Sequence, residues 1–198
     1  MGGATDAAVT VRRVPSFERL SLRTERLLLR PLRADDAPAL FAIFSDPQVM
    51  RYWSTPPWPT IDHALALIDR DVLAMSTGEY VRLGIERVDD GQLIGNCTLF
   101  NLMPQCRRAE IGYGLAAHAW GRGCMNEALR ALLEHGFAQL GLNRVEADID
   151  PRNTASARSL ERLGFKREGL LRERWIVAGV VSDTALYGLL LSDWCACG

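Results

Sequence analysis

The 198-residue sequence contains no run of about 18 apolar residues, the length that a membrane-spanning helix needs. It also lacks an excess of either charge, because 23 Lys and Arg stand against 24 Asp and Glu, for a formal net charge of −1. No global basic field is therefore available to hold nucleic acid or an anionic membrane surface. Lysine is nearly absent, with Lys166 alone among arginines; we attribute this skew to codon usage and draw no function from it.

The N-terminus also lacks a basic segment followed by an apolar one, so no secretion signal is predicted. The odd count of five cysteines then favours reduced thiols and a cytoplasmic location. Cys195 and Cys197 have no second pair at ligand spacing, so they predict a loose tail and no metal site. We expect a poorly ordered or edge-extending arm over residues 1–20 and one domain over 21–195.

Hydrophobic periodicity predicts the element order β-α-α-β-β-β-α-β-α-β-β. Such an order implies an α/β fold, with helices on both faces of a mixed sheet of seven strands. The predicted strands cover residues 27–29, 80–87, 93–100, 108–115, 145–149, 170–177 and 181–191. The predicted helices cover 35–47, 61–75, 123–140 and 153–163.

A loop rich in proline and aromatic residues follows the first helix, over residues 51–60. Its three prolines fix φ and remove amide donors, which predicts a stiff, irregular segment. Tyr52, Trp53 and Trp58 of this loop could line a substrate-binding groove, since rigid aromatic side chains suit the anchoring of a peptide. They could equally form a hydrophobic lid over the core.

Two glycines stand just before the longest predicted helix, in the segment HAWGRGCMNE. Gly121 and Gly123 let the main chain approach a ligand, and the helix start offers unpaired N–H groups to an anion. Arg122 adds a positive charge, although a plain glycine-rich connection would leave the same pattern. A dinucleotide fingerprint is excluded because Asn126 replaces its third glycine, and a P-loop is excluded because Gly-Lys-Ser/Thr is missing.

Two long segments, AEIGYGLAAHAWGRGCMNEAL and GFAQLGLNRVEADIDPRNTASARSLERLGFKREG, resemble the acetyl-CoA motif of GNAT acyltransferases. Two further segments resemble the ribosomal-protein-alanine N-acetyltransferase-like branch of this family, namely LRTERLLLRPLRADDAPALFAIFSDPQVMRYW and GLLRERWIVAGVVSDTALYGLLLSDW. The resemblance spans about residues 20–194. It implies a mostly antiparallel, twisted sheet and acetyl-CoA as cosubstrate. The family pattern Gln/Arg-x-x-Gly-x-Gly/Ala is met at Gly123 but not at Trp120 or Met125.

The resemblance also implies which residues contact acetyl-CoA. Main-chain N–H groups of the glycine turn would bind the pyrophosphate, and the main chain of 115–117 would pair with the pantetheine arm as an added strand. The predicted cofactor-binding set is Leu115, Ala116, Ala117, Gly121, Arg122, Gly123, Cys124, Met125, Asn126, Asn153 and Ser156.

Acyl transfer to an amine requires loss of an amine proton and stabilisation of the departing thiolate. Glu110 resembles the family position of a general base, and the alternative is a solvated charge at a strand end. On the late hairpin, where part of the branch carries a glutamate base, the alignment places Trp175. Glu173 lies two residues earlier, which on a regular strand is the same face. The base therefore stays open between Glu110 and Glu173, and direct base catalysis is not required.

The tyrosine that many family members use to protonate the thiolate is replaced by Leu160. Ser156, one helical turn earlier, resembles the acid partner found in the ribosomal-protein branch. The alternative is a serine that bonds to the backbone in the first turn of a helix. Asn153 resembles a residue that binds pantetheine or substrate, or it is a plain helix cap.

The predicted reaction is acetylation of a primary amine in a ternary complex, favouring a peptide or protein N-terminal α-amine. An α-amine has a reference pKa of about 7.7–8.0 against about 10.4 for lysine, so a site with a weak base suits it better. Alternatives are a polyamine, an aminoglycoside or another small amine, or an acyl-CoA-binding protein without catalysis. The predicted state is a monomer or homodimer without nucleic-acid or membrane partners.

Overall fold

The computed structural model describes residues 16–196, and the side chains of residues 16–195. Eight strands form one sheet in the order β1-β2-β3-β4-β5-β6-β8-β7. Neighbours pair antiparallel except β5 and β6, which run parallel. The strands are β1 Leu22–Arg23, β2 Leu27–Arg30, β3 Val81–Arg87, β4 Leu93–Met103, β5 Arg108–Leu115, β6 Arg144–Ile149, β7 Lys166–Val177 and β8 Val180–Leu190.

Helices cover both faces of this sheet, so the predicted mixed α/β architecture is confirmed. The helices are α1 Ala37–Phe44, α2 Pro47–Met50, α3 Asp62–Thr77, α4 Cys124–Ala138, α5 Thr154–Arg162 and α6 Leu191–Ala196. One buried cluster joins α4 and α5 to the sheet, and a second surrounds α1 and α3 on the other side. We call these two sides the α4 face and the α1 face.

The sequence analysis missed the smallest elements of the fold. The two-residue strand β1 raises the strand count from the predicted seven to eight. The one-turn helix α2 begins at Pro47, where a helix end was predicted, because proline suits a first helical position and Asp46 caps that helix. The edge strand β7 starts at Lys166, four residues before its predicted start.

The buried face of α3 differs from the one that its sequence predicts. Spacings of three and four would place Leu65 and Val72 inside, but they are 41% and 60% exposed. The helix is instead rotated so that Asp71 is 3% exposed. Tyr80 Oη and Arg82 Nη1 each donate to Asp71 Oδ1, at 2.6 and 2.7 Å. A carboxylate bound in this way can occupy a core position, which hydrophobic periodicity does not detect.

The end of the predicted N-terminal arm packs against the domain. Phe17 is 2% exposed, and its N–H donates to the carbonyl of Met75 at 2.8 Å. Residues 1–15 and Cys197 of the predicted tail lie outside the described residues, and the boundary at residue 20 stays a prediction. Cys195 is exposed on α6. Within residues 16–196, no helix is both long and apolar enough to cross a membrane.

Candidate active site

The sheet opens between its two parallel strands. Residues Arg108–Glu110 of β5 pair with Arg144–Glu146 of β6, and the pairing stops there. Further along, β5 stays paired with β4 up to Leu115, and β6 stays paired with β8 up to Ile149. The two strands therefore separate while each remains anchored on its outer side. We call this opening, between residues 111–115 of β5 and 147–149 of β6, the strand gap.

Strand β5 presents different chemistry to the two faces beside the strand gap. Tyr113 and Leu115 point to the α4 face, where they join the larger buried cluster. Gly114 points to the α1 face, where a Cβ atom would lie 2.9 Å from the Phe44 ring and 3.0 Å from Trp53. A glycine is therefore required for α1 and the aromatic loop to reach the strand, and Glu110 shares this face by alternation.

The glycine turn leads to the N-terminus of α4. Gly121 and Gly123 have φ of 73° and 77°, in the left-handed region that favours glycine. Gly123 is the helix N-cap and provides no side-chain partner. The first amide paired within the helix is that of Glu127, which bonds to the Gly123 carbonyl at 3.1 Å. The N–H groups of residues 124–126 thus remain available to an anion, as the sequence predicted.

An ion-pair cluster holds this helix end against the turn between β1 and β2. Glu127 accepts from Thr24 Oγ1 at 2.5 Å and from Arg26 Nε at 2.7 Å. Arg26 Nη1 also donates to the carbonyl of Arg122 at 3.0 Å. These bonds lower the pKa of the Glu127 carboxyl although partial desolvation acts in the opposite direction. The lowered pKa favours the ionised carboxylate, and these bonds join the turn between β1 and β2 to the helix end and to the carbonyl of Arg122.

A groove of about 340 Å³ lies beside this helix end. Arg26, Arg87 and Arg122 line it, together with Cys124 and the neighbouring residues 25, 27, 88 and 89. Arg26 is paired with Glu127 and Arg87 with Asp90, and the carboxylates of Glu25 and Asp89 share the lining. The free helix N–H groups beside Arg122 are therefore the part of this groove that suits an anion.

Other residues that were predicted to bind the cofactor have contacts within the protein. The carbonyl of Leu115 accepts from the Trp120 indole at 2.8 Å, and the N–H of Ala116 donates to the carbonyl of Ile94 at 2.8 Å. A carbonyl has a second lone pair, so Leu115 can still accept from a ligand. Met125 is 9% exposed in the core, and the Asn126 amide reaches the carbonyl of Ser159 at 3.4 Å.

A pair of hydroxyl groups lies on the α4 face of the strand gap. Ser156 Oγ of α5 lies 2.7 Å from the hydroxyl of Tyr113 of β5. Burial raises the pKa of Tyr113 to about 12. Asn153 Oδ1 accepts from the Ser156 N–H at 3.1 Å, so Asn153 is a helix cap, as one of its two interpretations stated. Leu160 is fully buried.

Two carboxyl groups lie on the opposite face. Glu110 accepts from Asn101 Nδ2 at 3.0 Å. Asp148 of β6 shares this face, because Val145 and Ala147 point into the cluster under α4. Partial desolvation and the nearby Glu110 carboxylate raise the pKa of Asp148, against the effect of Arg174. The Asp148 carboxyl is therefore easier to protonate than that of an ordinary aspartate, which suits proton transfer.

Glu173 lies at an irregular point of β7. The register with β8 shifts between Leu171 and Trp175, and Glu173 has φ of 51°. Its N–H donates to Asp183 Oδ1 at 2.8 Å. The two-residue repeat used to place Glu173 on the face of Trp175 is interrupted here. Its role as base stays a prediction that this geometry does not support.

The aromatic loop divides into two parts. Trp53 and Trp58 pack on the Phe44 ring with centroid distances of 5.2 and 4.9 Å. Tyr52 lies apart from that cluster, and Arg152 stands 5.9 Å from its ring centroid. Bonds to Asp150 at 2.6–3.2 Å hold this guanidinium in place. The packing of the two tryptophans agrees with a hydrophobic lid over the core, whereas a substrate-binding role for this loop stays a prediction.

Comparison with known proteins identifies this arrangement. Residues 26–166, well over half of the chain, match the family described as acetyltransferase (GNAT) domain. The chain belongs to the GNAT acetyltransferase family. It is 37% identical over 175 residues to the uncharacterized N-acetyltransferase p20 of Bacillus licheniformis, covering 88% of this chain and 98% of that protein.

Ribosomal-protein acetyltransferases are among the relatives of this GNAT chain. The ribosomal protein uS5-alanine N-acetyltransferase of Escherichia coli is 26% identical over 187 residues, covering 89% of this chain and 93% of that protein. The structure of Mycobacterium smegmatis RimJ in complex with CoA-disulfide has a TM-score of 0.79 at 27% identity, with 90% of each chain covered. The resemblance seen in the sequence is confirmed, and an acetyltransferase is supported over a protein without catalysis.

Tyr113 and Asp148 are the two site residues that the sequence analysis missed. Each lies within a strand and belongs to no recognised chemical motif. Asp148 could have been found by alternation from Glu110, had the parallel pairing of β5 with β6 been known. Tyr113 could not, since its partner lies 43 positions away in the sequence.

Proposed function

We propose that this GNAT chain transfers the acetyl group of acetyl-CoA to the N-terminal α-amine of a peptide or protein. The observation that carries the proposal is the strand gap, which has a helix end with free N–H groups beside it and different groups on its two faces. Hydroxyl groups lie on the α4 face and carboxyl groups on the α1 face. Such an arrangement allows the two substrates to meet within the gap from opposite sides.

The donor would bind along α4. Its pyrophosphate would accept bonds from the N–H groups of residues 121–126, with the guanidinium groups of the groove nearby. Its pantetheine arm would continue along the free side of β5 at Leu115, Ala116 and Ala117, where the partner strand has diverged. This path brings the thioester to the strand gap beside Ser156. The RimJ structure, which shares the fold, contains CoA-disulfide and supports a CoA thioester as the donor.

The chemistry is direct attack in a ternary complex. The amine nitrogen forms a bond to the acetyl carbon, and the carbon–sulfur bond breaks with its electron pair going to sulfur. The amine proton passes to a carboxylate of the α1 face, where Glu110 and Asp148 stand, directly or through water. The departing thiolate is stabilised by the hydroxyl of Ser156 on the α4 face.

The carboxyl groups of this site favour an α-amine as acceptor. At pH 7.5 about one lysine amine in a thousand is neutral, against roughly a third of α-amines. The difference in deprotonation free energy is about 3–4 kcal/mol. Desolvation and Glu110 raise the pKa of Asp148 and so make it a stronger base than an ordinary aspartate, but a carboxylate starts from an acidic pKa and suits the less basic amine better. The E. coli relative, named an alanine N-acetyltransferase of ribosomal protein uS5, points the same way.

The acceptor would enter past Tyr52, beside the arginine held by Asp150. A rigid aromatic ring and a fixed guanidinium can contact the first residues of an extended peptide. Trp53 and Trp58 would shape this entrance through their packing on Phe44, without requiring contact with substrate.

Initial-rate kinetics test the proposal. Release of free CoA thiol should require acetyl-CoA together with an amine, and double-reciprocal plots should intersect, as direct transfer demands. Parallel plots would indicate a covalent acetyl-enzyme, and CoA binding without thiol release for any amine would refute catalysis. Sedimentation in the same buffer would decide between the predicted monomer and homodimer.

A further inference from the structure

The hydroxyl pair forms a hydrogen bond in which either oxygen could be the donor, and the surroundings of the two groups favour one direction. The Tyr113 hydroxyl and Ser156 Oγ are 2.7 Å apart and join β5 to the first turn of α5 across the α4 face. Among the described residues, no other side-chain partner is found for the Tyr113 hydroxyl. A phenol in protein surroundings needs an acceptor for its proton, and Ser156 Oγ is the one in reach.

The serine has a choice that the tyrosine lacks. Its oxygen can accept a hydrogen bond from Tyr113, which leaves the serine O–H available to a ligand. It can also donate to Tyr113, and then no serine O–H is available to a ligand. Phenols are the more acidic and therefore the stronger donors of the two hydroxyl types. The backbone N–H of Ser156 is already bonded to Asn153, so α5 holds the serine Cβ in place.

We propose that Tyr113 is a positioning residue for acyl transfer, donating to Ser156 Oγ and thereby turning the Ser156 O–H toward the departing sulfur. The inference rests on the proposed function, since it assigns a partner to the group that stabilises the thiolate. Strand β5 thus contributes a tyrosine hydroxyl to a site whose helix carries Leu160 at the usual tyrosine position.

The pair keeps its protons during the reaction. Burial raises the pKa of Tyr113 to about 12, well above the value of about 8.5 for an ordinary thiol. Proton transfer through the pair to the sulfur would therefore be uphill. The electron pair of the broken bond stays on sulfur as a thiolate that accepts a hydrogen bond from Ser156. The proton lost by the amine leaves from the opposite face, and solvent later restores the thiol.

A double-mutant cycle on kcat tests the inference. We expect Ser156→Ala to lower kcat about 100-fold and Tyr113→Phe about tenfold, with the KM for acetyl-CoA nearly unchanged in both. Because Tyr113 acts through Ser156, the double variant should also be about 100-fold slower. A loss near 1000-fold would show that the two residues act independently and would overturn the inference, as would an unchanged kcat in Tyr113→Phe.

Tyr80→Phe is the matched control, because it removes a tyrosine hydroxyl bonded to one side chain, Asp71, at the opposite face of the sheet. It should lower the melting temperature without changing kcat. A kcat loss in Tyr80→Phe equal to that in Tyr113→Phe would assign the effect to general loosening. Wild-type turnover is measured first, so that failure of the proposed function appears as no thiol release at all.

A fluorinated tyrosine at position 113 provides a second measurement that preserves the fold. Fluorine lowers the phenol pKa, so the hydroxyl loses its proton within the accessible pH range. We expect a new alkaline limb in the kcat profile of this variant, because a tyrosinate cannot donate to Ser156. A profile identical to that of the wild type would overturn the inference.

Discussion

The left-handed conformation of Gly123 sets the effect of replacing this residue with valine. Its φ of 77° costs an L-residue about 1–2 kcal/mol, which for a domain of this size lowers the melting temperature by roughly 2–8 °C. A Cβ here would lie 3.5 Å from Arg26 Nη2, within the groove beside α4. The added side chain would keep a phosphate from the N–H groups of residues 124–126. We therefore expect acetyl-CoA affinity to fall more than tenfold, or about 1.4 kcal/mol.

Gly179→Val separates strain from lost binding. Gly179 has a φ of 81° in the turn between β7 and β8, and a Cβ there would have no neighbour within 4 Å. Both variants should lose stability in thermal denaturation, whereas calorimetric titration with acetyl-CoA should show weaker binding for Gly123→Val alone. Unchanged affinity in a folded Gly123→Val protein would refute the placement of the pyrophosphate. An equal loss in both variants would trace the effect to stability.

Three further predictions concern the fold and the acceptor side. Asp36→Ala should lower the unfolding free energy by about 1.5–3 kcal/mol, because the buried Arg30 guanidinium loses its two bonds to this carboxylate and keeps Glu86. Desolvation raises the Asp36 pKa, but the bonds to Arg30 outweigh it and the pKa is lowered. The stabilising contribution of Asp36 is therefore complete above about pH 4 and disappears as pH falls through the lowered pKa. Equal losses in denaturant titrations at about pH 7 and well below about pH 3 would contradict this prediction. Burial and the Glu110 charge raise the Asp148 pKa. Glu110→Gln should therefore move the acidic limb of the kcat/KM pH profile to lower pH, and Asp148→Asn should remove that limb. Unchanged pH profiles would exclude both residues from proton transfer. Tyr52→Ala should raise the acceptor KM about tenfold. Trp58→Ala should mainly lower the unfolding free energy, by roughly 2 kcal/mol for a partly buried ring. Equal increases of the acceptor KM in both variants would refute the separate roles of these residues.

The architecture could be predicted because local patterns agree with the final packing. Helix α4 buries Leu129, Leu132 and Leu133 on one face, at the spacing that its sequence shows. Helix α3 shows the limit of this reasoning. Its buried face includes Asp71, whose place in the core depends on partners from the following strand. A bond between distant groups leaves no mark on periodicity.

The glycine turn beside α4, where the cofactor is proposed to bind, was predictable for a similar reason. A left-handed turn before a helix needs glycine, so Gly121 and Gly123 are visible in the sequence itself. The catalytic side depends on which strands are neighbours and where they diverge. The bond between Tyr113 and Ser156 and the charge interaction between Asp148 and Glu110 both depend on the short pairing of β5 with β6 and on the separation of these strands beyond it. Neither the divergence of two strands nor the irregularity of β7 follows from alternation.

Selectivity between two kinds of amine tests the account most directly. Two peptides of one sequence are compared at pH 7.5, one with a free N-terminus and acetylated lysine, the other with an acetylated N-terminus and free lysine. The account predicts faster acetyl-dependent thiol release with the free N-terminus. It also predicts that raising the pH toward the lysine pKa narrows the difference, since the advantage comes from the neutral amine fraction. Faster turnover on the lysine peptide, or activity with polyamines or aminoglycosides alone, would contradict the account.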